Sequence, residues 1–285
     1  MKNILSLLLL AILLSFNSCF KYDNWDEPDC TFYGTVTDYY TGQPLEASQN
    51  DWQINIWERS WTGHEEGAVS KQDLRIKQDG TFQNTKLFAG TYDFIAFSAN
   101  KSDGPCWPWV IYNGTPVDTI KNVVLNKKTE VNFTIIPYIQ VVDFGYDLGM
   151  SSTGVPQIRF KCKVRAPELE MVNPLDGSTM QLPTLYEIRP FLSLTPFCGG
   201  GNDSSIGGRE YNDDVRIRSF GGSGWAALLA HAEADPSTNT TREFVTNYMM
   251  VKSGYTYRVR MGASVNDTQQ NRKYHYSEIQ TVTIP

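Results

Sequence analysis

His64 and Glu65 stand in the order that opens a zinc-protease helix, where two histidines four positions apart bind the metal and the glutamate activates water. The second histidine would stand at position 68, which is Ala68, so the ligand pair is incomplete. His231 and Glu233 match the first half of a nucleobase-deaminase signature, whose second half is a Pro-Cys-x-x-Cys run. Pro105 and Cys106 begin such a run, but Trp109 occupies the place of the second cysteine. A nucleophile elbow around Ser223 needs glycine at position 225 and finds Trp225. His64, His231 and His275 are the only histidines, and no spacing among them supports a triad. Asp213 and Asp214 are adjacent, which suits a solvated loop better than carboxylates held roughly 5–10 Å apart for glycoside hydrolysis. Asn202, Asp203, Asp213 and Asp214 offer oxygen ligands, yet lack the regular spacing of a calcium loop. The expectation is a protein that is not an enzyme, with no catalytic residue, no metal and no cofactor.

The tryptophans suggest contact chemistry instead. In the run 52–61, if Trp52, Ile54 and Ile56 face a core, strand alternation turns Gln53, Asn55, Trp57, Arg59 and Trp61 to the opposite face. Two indoles beside amides and a guanidinium would form a sugar platform, because pyranose C–H faces pack on aromatic rings while hydroxyls need nearby donors and acceptors. Cys106-Trp107-Pro108-Trp109 is a second aromatic cluster. Burial against a neighbouring element is the alternative for both. The candidate glycan-binding residues are Trp57, Arg59, Trp61, Trp107 and Trp109.

These side chains must be carried by strands. Short runs rich in β-branched and aromatic residues recur between turn residues from position 31 onward, at 31–39, 52–61, 74–77, 91–98, 123–125 and 131–136. Gln78-Asp79-Gly80 reads as the turn of a hairpin leading into Thr81 and Phe82. In the second half, Ile158, Phe160, Cys162 and Val164 alternate with Arg159, Lys161, Lys163 and Arg165, giving one apolar and one cationic face. Further strand candidates are 186–194, 244–251, 255–265 and 279–284, a short helix is expected at 224–233, and 198–214 reads as loop. The fold class is all-β, two tandem antiparallel sandwiches without α/β alternation, with units expected at 30–137 and 138–285.

The first 18 residues carry Lys2, an apolar run from Ile4 to Leu14 and a polar close before Cys19. That run is about half of the roughly twenty residues a membrane-crossing helix needs, so it reads as a cleaved signal peptide. Cys19 sits as in a relaxed lipobox, making it the expected lipidation site. Residues 19–29 read as an acidic tether, and two or more acyl chains would anchor the chain stably. The formal charge is −6 and becomes more negative without Lys2, which argues against nucleic acid as a partner. Cys30, Cys106, Cys162 and Cys198 remain, an even number in an oxidising compartment, with three ways of pairing, and four reduced, buried thiols as the alternative. With a boundary near residue 138, pairing within each unit would join Cys30 to Cys106 and Cys162 to Cys198.

Gly34-Thr35-Val36-Thr37-Asp38, Thr41-Gly42-Gln43-Pro44-Leu45, Asp79-Gly80-Thr81-Phe82 and Leu87-Phe88-Ala89-Gly90-Thr91-Tyr92 resemble the carboxypeptidase-regulatory, transthyretin-like sandwich. The stretch 77–88 is similar to a family of two-domain surface lipoproteins of unknown function from Bacteroidetes glycan-utilisation loci. Lys252-Ser253-Gly254-Tyr255-Thr256-Tyr257 and the closing Tyr276-Ser277 resemble the last strands of a fibronectin type III domain, with a tyrosine-corner position. The resemblance implies a lipid-anchored protein on the cell-surface side of the outer membrane, accessory to capture of a polysaccharide by an outer-membrane glycan importer complex. It supplies no catalytic positions. The competing expectation is a structural or adaptor lipoprotein that docks another surface protein through exposed aromatics, without sugar binding.

Overall fold

A computed structural model of the chain describes residues 27–48, 53–59, 71–95, 106–183, 185–199, 217–218, 235, 237–265 and 274–285. Its first ten strands are β1 Cys30–Asp38, β2 Gln53–Glu58, β3 Lys71–Arg75, β4 Thr81–Leu87, β5 Gly90–Ile95, β6 Cys106–Tyr112, β7 Thr115–Val117, β8 Thr119–Leu125, β9 Lys128–Glu130 and β10 Phe133–Pro137. The rest are β11 Gln140–Met150, β12 Pro156–Arg165, β13 Glu170–Val172, β14 Thr179–Gln181, β15 Leu185–Ser193, β16 Ile217–Arg218, β17 Phe244–Val245, β18 Met249–Met250, β19 Thr256–Val265, β20 Tyr274–Tyr276 and β21 Gln280–Thr283. The protein is all-β, as its alternating runs require. Among the described residues every pairing is antiparallel except those of β1 with β9 and β10. No sheet there mixes strands from the two sides of Pro137.

The first half is a sandwich of β4-β1-β10-β6-β7, with β9 also on β1, against β3-β2-β5-β8. Phe32 on β1 stacks on Phe94 of the facing sheet with centroids 4.3 Å apart, and packs against Phe82 on β4 at 5.1 Å. Such aromatic pairs add roughly 0.5–1.5 kcal/mol beyond their buried area. Gly34 is required by closeness: a Cβ there would land on the Val131 carbonyl and the Phe82 ring. The Gln78-Asp79-Gly80 turn forms as read, with Gly80 at φ +74°, but it closes no hairpin. β3 pairs with β2 and β4 with β1, so the turn carries the chain from one sheet to the other.

In the second half, β11-β12-β17, with β18 also on β12, faces β16-β15-β19-β20, with β21 also on β19. Ile158, Phe160, Cys162 and Val164 are fully buried and meet Tyr257, Val259, Met261 and Ala263 in one core. The run 244–251 breaks into two short strands. The Thr246 and Thr241 hydroxyls accept the Phe160 and Val164 backbone N–H groups at 3.0 Å, taking over ladder positions. The Tyr257 hydroxyl accepts the Lys252 N–H at 3.1 Å, the bond that defines a tyrosine corner. Residues 224–233, expected as a helix, and all but the start of the 198–214 loop lie outside the described residues.

The two halves share a core. β10 is buried on both faces, Phe133 and Ile135 into the first sandwich and Ile136 toward the second half. β6 repeats this, with Cys106 and Val110 inward, and Trp107 and Trp109 among the second-half residues. At ~25 cal/mol per Å² of apolar area, each of these indoles contributes at most about 4–6 kcal/mol.

Candidate functional site

The alternation expected of β2 is present. Ile54 and Ile56 are 1% exposed, whereas Asn55 and Trp57 lie half-buried on the other face, with Gln53 and Arg59 exposed. Trp57 sits near the end of β2, directly across from Asp93 on β5 and Lys71 on β3. Arg59, just past the strand, donates its backbone N–H to Thr91 O at 2.8 Å and its Nε to Asp93 Oδ2 at 2.9 Å. Its guanidinium carbon then stands 5.1 Å from the Trp57 ring centroid, a cation–π distance.

Asp93 is the positioning group. Its second carboxylate oxygen accepts the backbone N–H of Asn122, at 2.9 Å, where β8 is interrupted by a left-handed residue with φ +58°. The carboxylate is thus held from both sides and fixes where the arginine fork points. Beside it, the Asn55 amide donates to Asp73 at 2.6 Å on an exposed part of the face. Trp57 Nε1 is buried with no hydrogen-bond partner among the described residues, so the ring offers outward its carbon surface alone. The result is a half-sunk indole beside an exposed guanidinium, an amide and the Asp73 carboxylate, with the buried Asp93 beneath holding the guanidinium in place, a surface able to stack a flat apolar face while bonding hydroxyls around it.

Asp93 and Asp73 were not singled out from sequence, although alternation could have found them. Tyr92 and Phe94 are both buried, which sends Asp93 outward beside Trp57.

Other expected site residues fall differently. Trp61 and Cys19 lie outside the described residues, as do His64, Glu65, Ala68, Asn202, Asp203, Asp213, Asp214, Ser223, Trp225, His231 and Glu233. Trp107 and Trp109 are 0% and 2% exposed, so neither can serve as an open platform. They pack on each other and, through Trp107, edge-on to Tyr138 at 4.9 Å, because β6 is covered on both faces. The four cysteines are buried free thiols rather than disulfides. Cys30 and Cys106 fill the first sandwich, while Cys162 lies in the large core and Cys198 in a separate cluster with Phe191, Tyr274 and Tyr276. Cys198 Sγ lies 3.5 Å from both the Phe191 and Arg258 carbonyls. Burial pushes Cys162 up to about 12 and Cys198 up to about 11. His275, on β20, is buried. Among the described residues no three His, Cys, Asp or Glu side chains are placed to hold a metal, and no helix is long and apolar enough to cross a membrane.

Residues 30–136 match the family model described as the N-terminal domain of a protein of unknown function, DUF3823. Solved structures are similar over more of the chain. A DUF3823 family protein from Bacteroides uniformis aligns over 90% of this chain and all of its own, at 24% identity and a TM-score of 0.61. One from Parabacteroides merdae aligns with the same coverage, at 16% identity and 0.52. A Bacteroides uniformis protein described as a candidate carbohydrate-binding protein does so at 16% identity and 0.59. At such identities these likenesses speak for the fold. No curated protein matches the chain.

Proposed function

We propose that the chain is a non-catalytic glycan-binding lipoprotein, held at the outer membrane through Cys19 and presenting the β2–β5 face to polysaccharide bound for an outer-membrane importer. The observation that carries the reading is the Trp57–Arg59–Asp93 arrangement: a half-buried aromatic ring on the outer face of the sheet, with a polar fork locked beside it by a carboxylate. Pre-set polar groups reduce the ordering cost that weak sugar contacts must overcome. The description of one structural neighbour as a candidate carbohydrate-binding protein points the same way. The leader and lipobox support the location, and the incomplete catalytic motifs support binding without turnover.

Affinity electrophoresis and calorimetry of the mature chain against a panel of neutral and acidic polysaccharides test the reading. At least one glycan should retard the wild type, and Trp57→Ala should abolish retention of at least one bound glycan. Absence of binding across the panel, or binding indifferent to Trp57→Ala and Arg59→Ala, would remove the β2–β5 face from the function.

A further inference from the structure

The outer face of the β11–β12–β17 sheet carries a second, differently charged arrangement. Because Ile158, Phe160, Cys162 and Val164 all point inward, Arg159, Lys161, Lys163 and Arg165 project outward, neighbours in the row standing roughly 6.6 Å apart along the strand. Four cations in line run against the trend of a chain whose formal charge is −6.

Three of them are held in place without being covered. Asp147, directly across on β11, accepts Arg159 Nε at 3.0 Å and Lys161 Nζ at 3.3 Å, and Asp143 accepts Lys163 Nζ at 2.8 Å. The three cationic side chains remain 36–39% exposed. Arg165 is exposed at the end of the row. Glu243, from the other flank, also acts on Lys163.

An aromatic ring ends the row. Tyr248, between β17 and β18, is 40% exposed and lies with its centroid 4.8 Å from the Arg159 guanidinium carbon. Gly145 and Gly149 leave β11 bare beneath these groups. A Cβ at Gly149 would come within 3.1 Å of the Tyr248 ring, and one at Gly145 within 3.1 Å of Lys161 Cε. Glycine lets the long side chains lie flat, which makes a shallow band along β12 rather than a bristling surface. Guanidinium forks suit carboxylate and sulfate oxygens, the ammonium groups add charge, and the phenol offers a ring for a sugar face.

We propose that this band binds an anionic polysaccharide, one bearing carboxylate or sulfate groups, laid along β12 with a sugar ring against Tyr248. The proposal rests on the reading of the chain as a glycan binder, but on a face distinct from that of Trp57. The two faces together would raise avidity for a polymer long enough to touch both.

The test compares wild type, Arg159→Gln/Lys163→Gln, Tyr248→Ala and Trp57→Ala by affinity electrophoresis on polygalacturonate, on chondroitin sulfate and on neutral mannan, over a range of salt. The expected result is retention on one or both acidic polymers that weakens with salt, and falls about tenfold or more in the double variant and in Tyr248→Ala. Trp57→Ala should keep most of this retention. The two acidic arms separate carboxylate from sulfate recognition. Matching thermal melts confirm folding, and Lys161→Gln, an exposed change, provides a second reading if the double variant unfolds. Acidic polymers ignored by the wild type, or held equally by every band variant, overturn the inference. If mannan is meanwhile lost only in Trp57→Ala, the proposed function stands without this site. If none of the three polymers binds, this inference fails, and the proposed function is decided by the wider panel.

Discussion

Arg260 on β19 donates through Nη2 to the backbone carbonyl of Ala47 at 2.9 Å, joining the second half of the chain to a loop of the first. The arginine is fully buried, and its guanidinium lies flat over the Tyr276 ring with 3.6 Å between guanidinium carbon and centroid. Gly199 makes room for it, since a Cβ there would fall on Nη2. Nearby, the Gln78 amide donates to Pro196 O at 2.9 Å and accepts the Cys198 N–H at 2.5 Å, so polar bonds bridge the halves beside the tryptophan-lined apolar contact.

Arg260→Met should therefore destabilise the protein by about 2–4 kcal/mol, because the Ala47 carbonyl loses its donor and the stacked cation goes. Arg260→Lys should recover less than half of that loss, since an ammonium cannot stack flat and bridge at once. Chemical denaturation followed by tryptophan fluorescence measures both. A methionine variant as stable as wild type would show that apolar packing alone sets the junction.

Much of this fold was legible in the sequence, because strand alternation is a local signal. The inward Ile54 and Ile56, the outward Trp57 and the two-faced β12 follow from residues two apart, while a tyrosine corner near Tyr257 comes from the family resemblance. What was not legible depends on partners far away in the chain. Trp107 and Trp109 stand as candidates for sugar contact with burial as the alternative, because nothing in Cys106–Tyr112 reveals that a second sheet system covers its outer face. β11 was missed because Gly145 and Gly149 dilute its pattern, although those same glycines admit Lys161 and Tyr248. The cysteines were paired by counting, whereas pairing requires closeness that only the packing decides.

Buried thiols give a direct check on that correction. Cys30, Cys106, Cys162 and Cys198 should be silent toward a thiol-specific reagent in the native protein at mildly alkaline pH, since all are buried and Cys162 and Cys198 are held far above the ordinary thiol range. Unfolding in denaturant without reductant should release all four. If the thiols appear only after a reductant is added, they are disulfides.

Glu46 predicts an unusual pH response beside Arg260. Burial raises its carboxyl above the ordinary value of 4.5, Arg260 opposes that rise, and Glu278 and Asp79 add to it. The folded state therefore keeps the proton to higher pH than the unfolded chain. The group's stabilising contribution is complete below the unfolded value and is lost as pH rises through the folded one. Glu46→Gln should match wild type in melting temperature at acidic pH and exceed it increasingly toward neutrality. A variant less stable than wild type at neutral pH would mean that the Arg260 attraction outweighs the cost of burial.

The two tryptophan environments make opposite demands on the same substitution. Trp107 is wholly enclosed between the halves, so Trp107→Ala removes a large apolar surface and leaves a cavity that rigid sheets on both sides cannot close. A loss of about 3–5 kcal/mol is expected. Trp57 is half-buried on the outer face of its sheet, with the Arg59 guanidinium over its ring, so truncation opens no void enclosed on all sides. Its cost should stay below about 2 kcal/mol, from lost area and the cation–π contact. Parallel urea titrations of the two variants should thus give well-separated midpoints, with Trp57→Ala near wild type and Trp107→Ala far below it. If Trp57→Ala proved the more damaging, the indole on β2 would be a packing residue, and any sugar-binding defect in that variant would reflect unfolding.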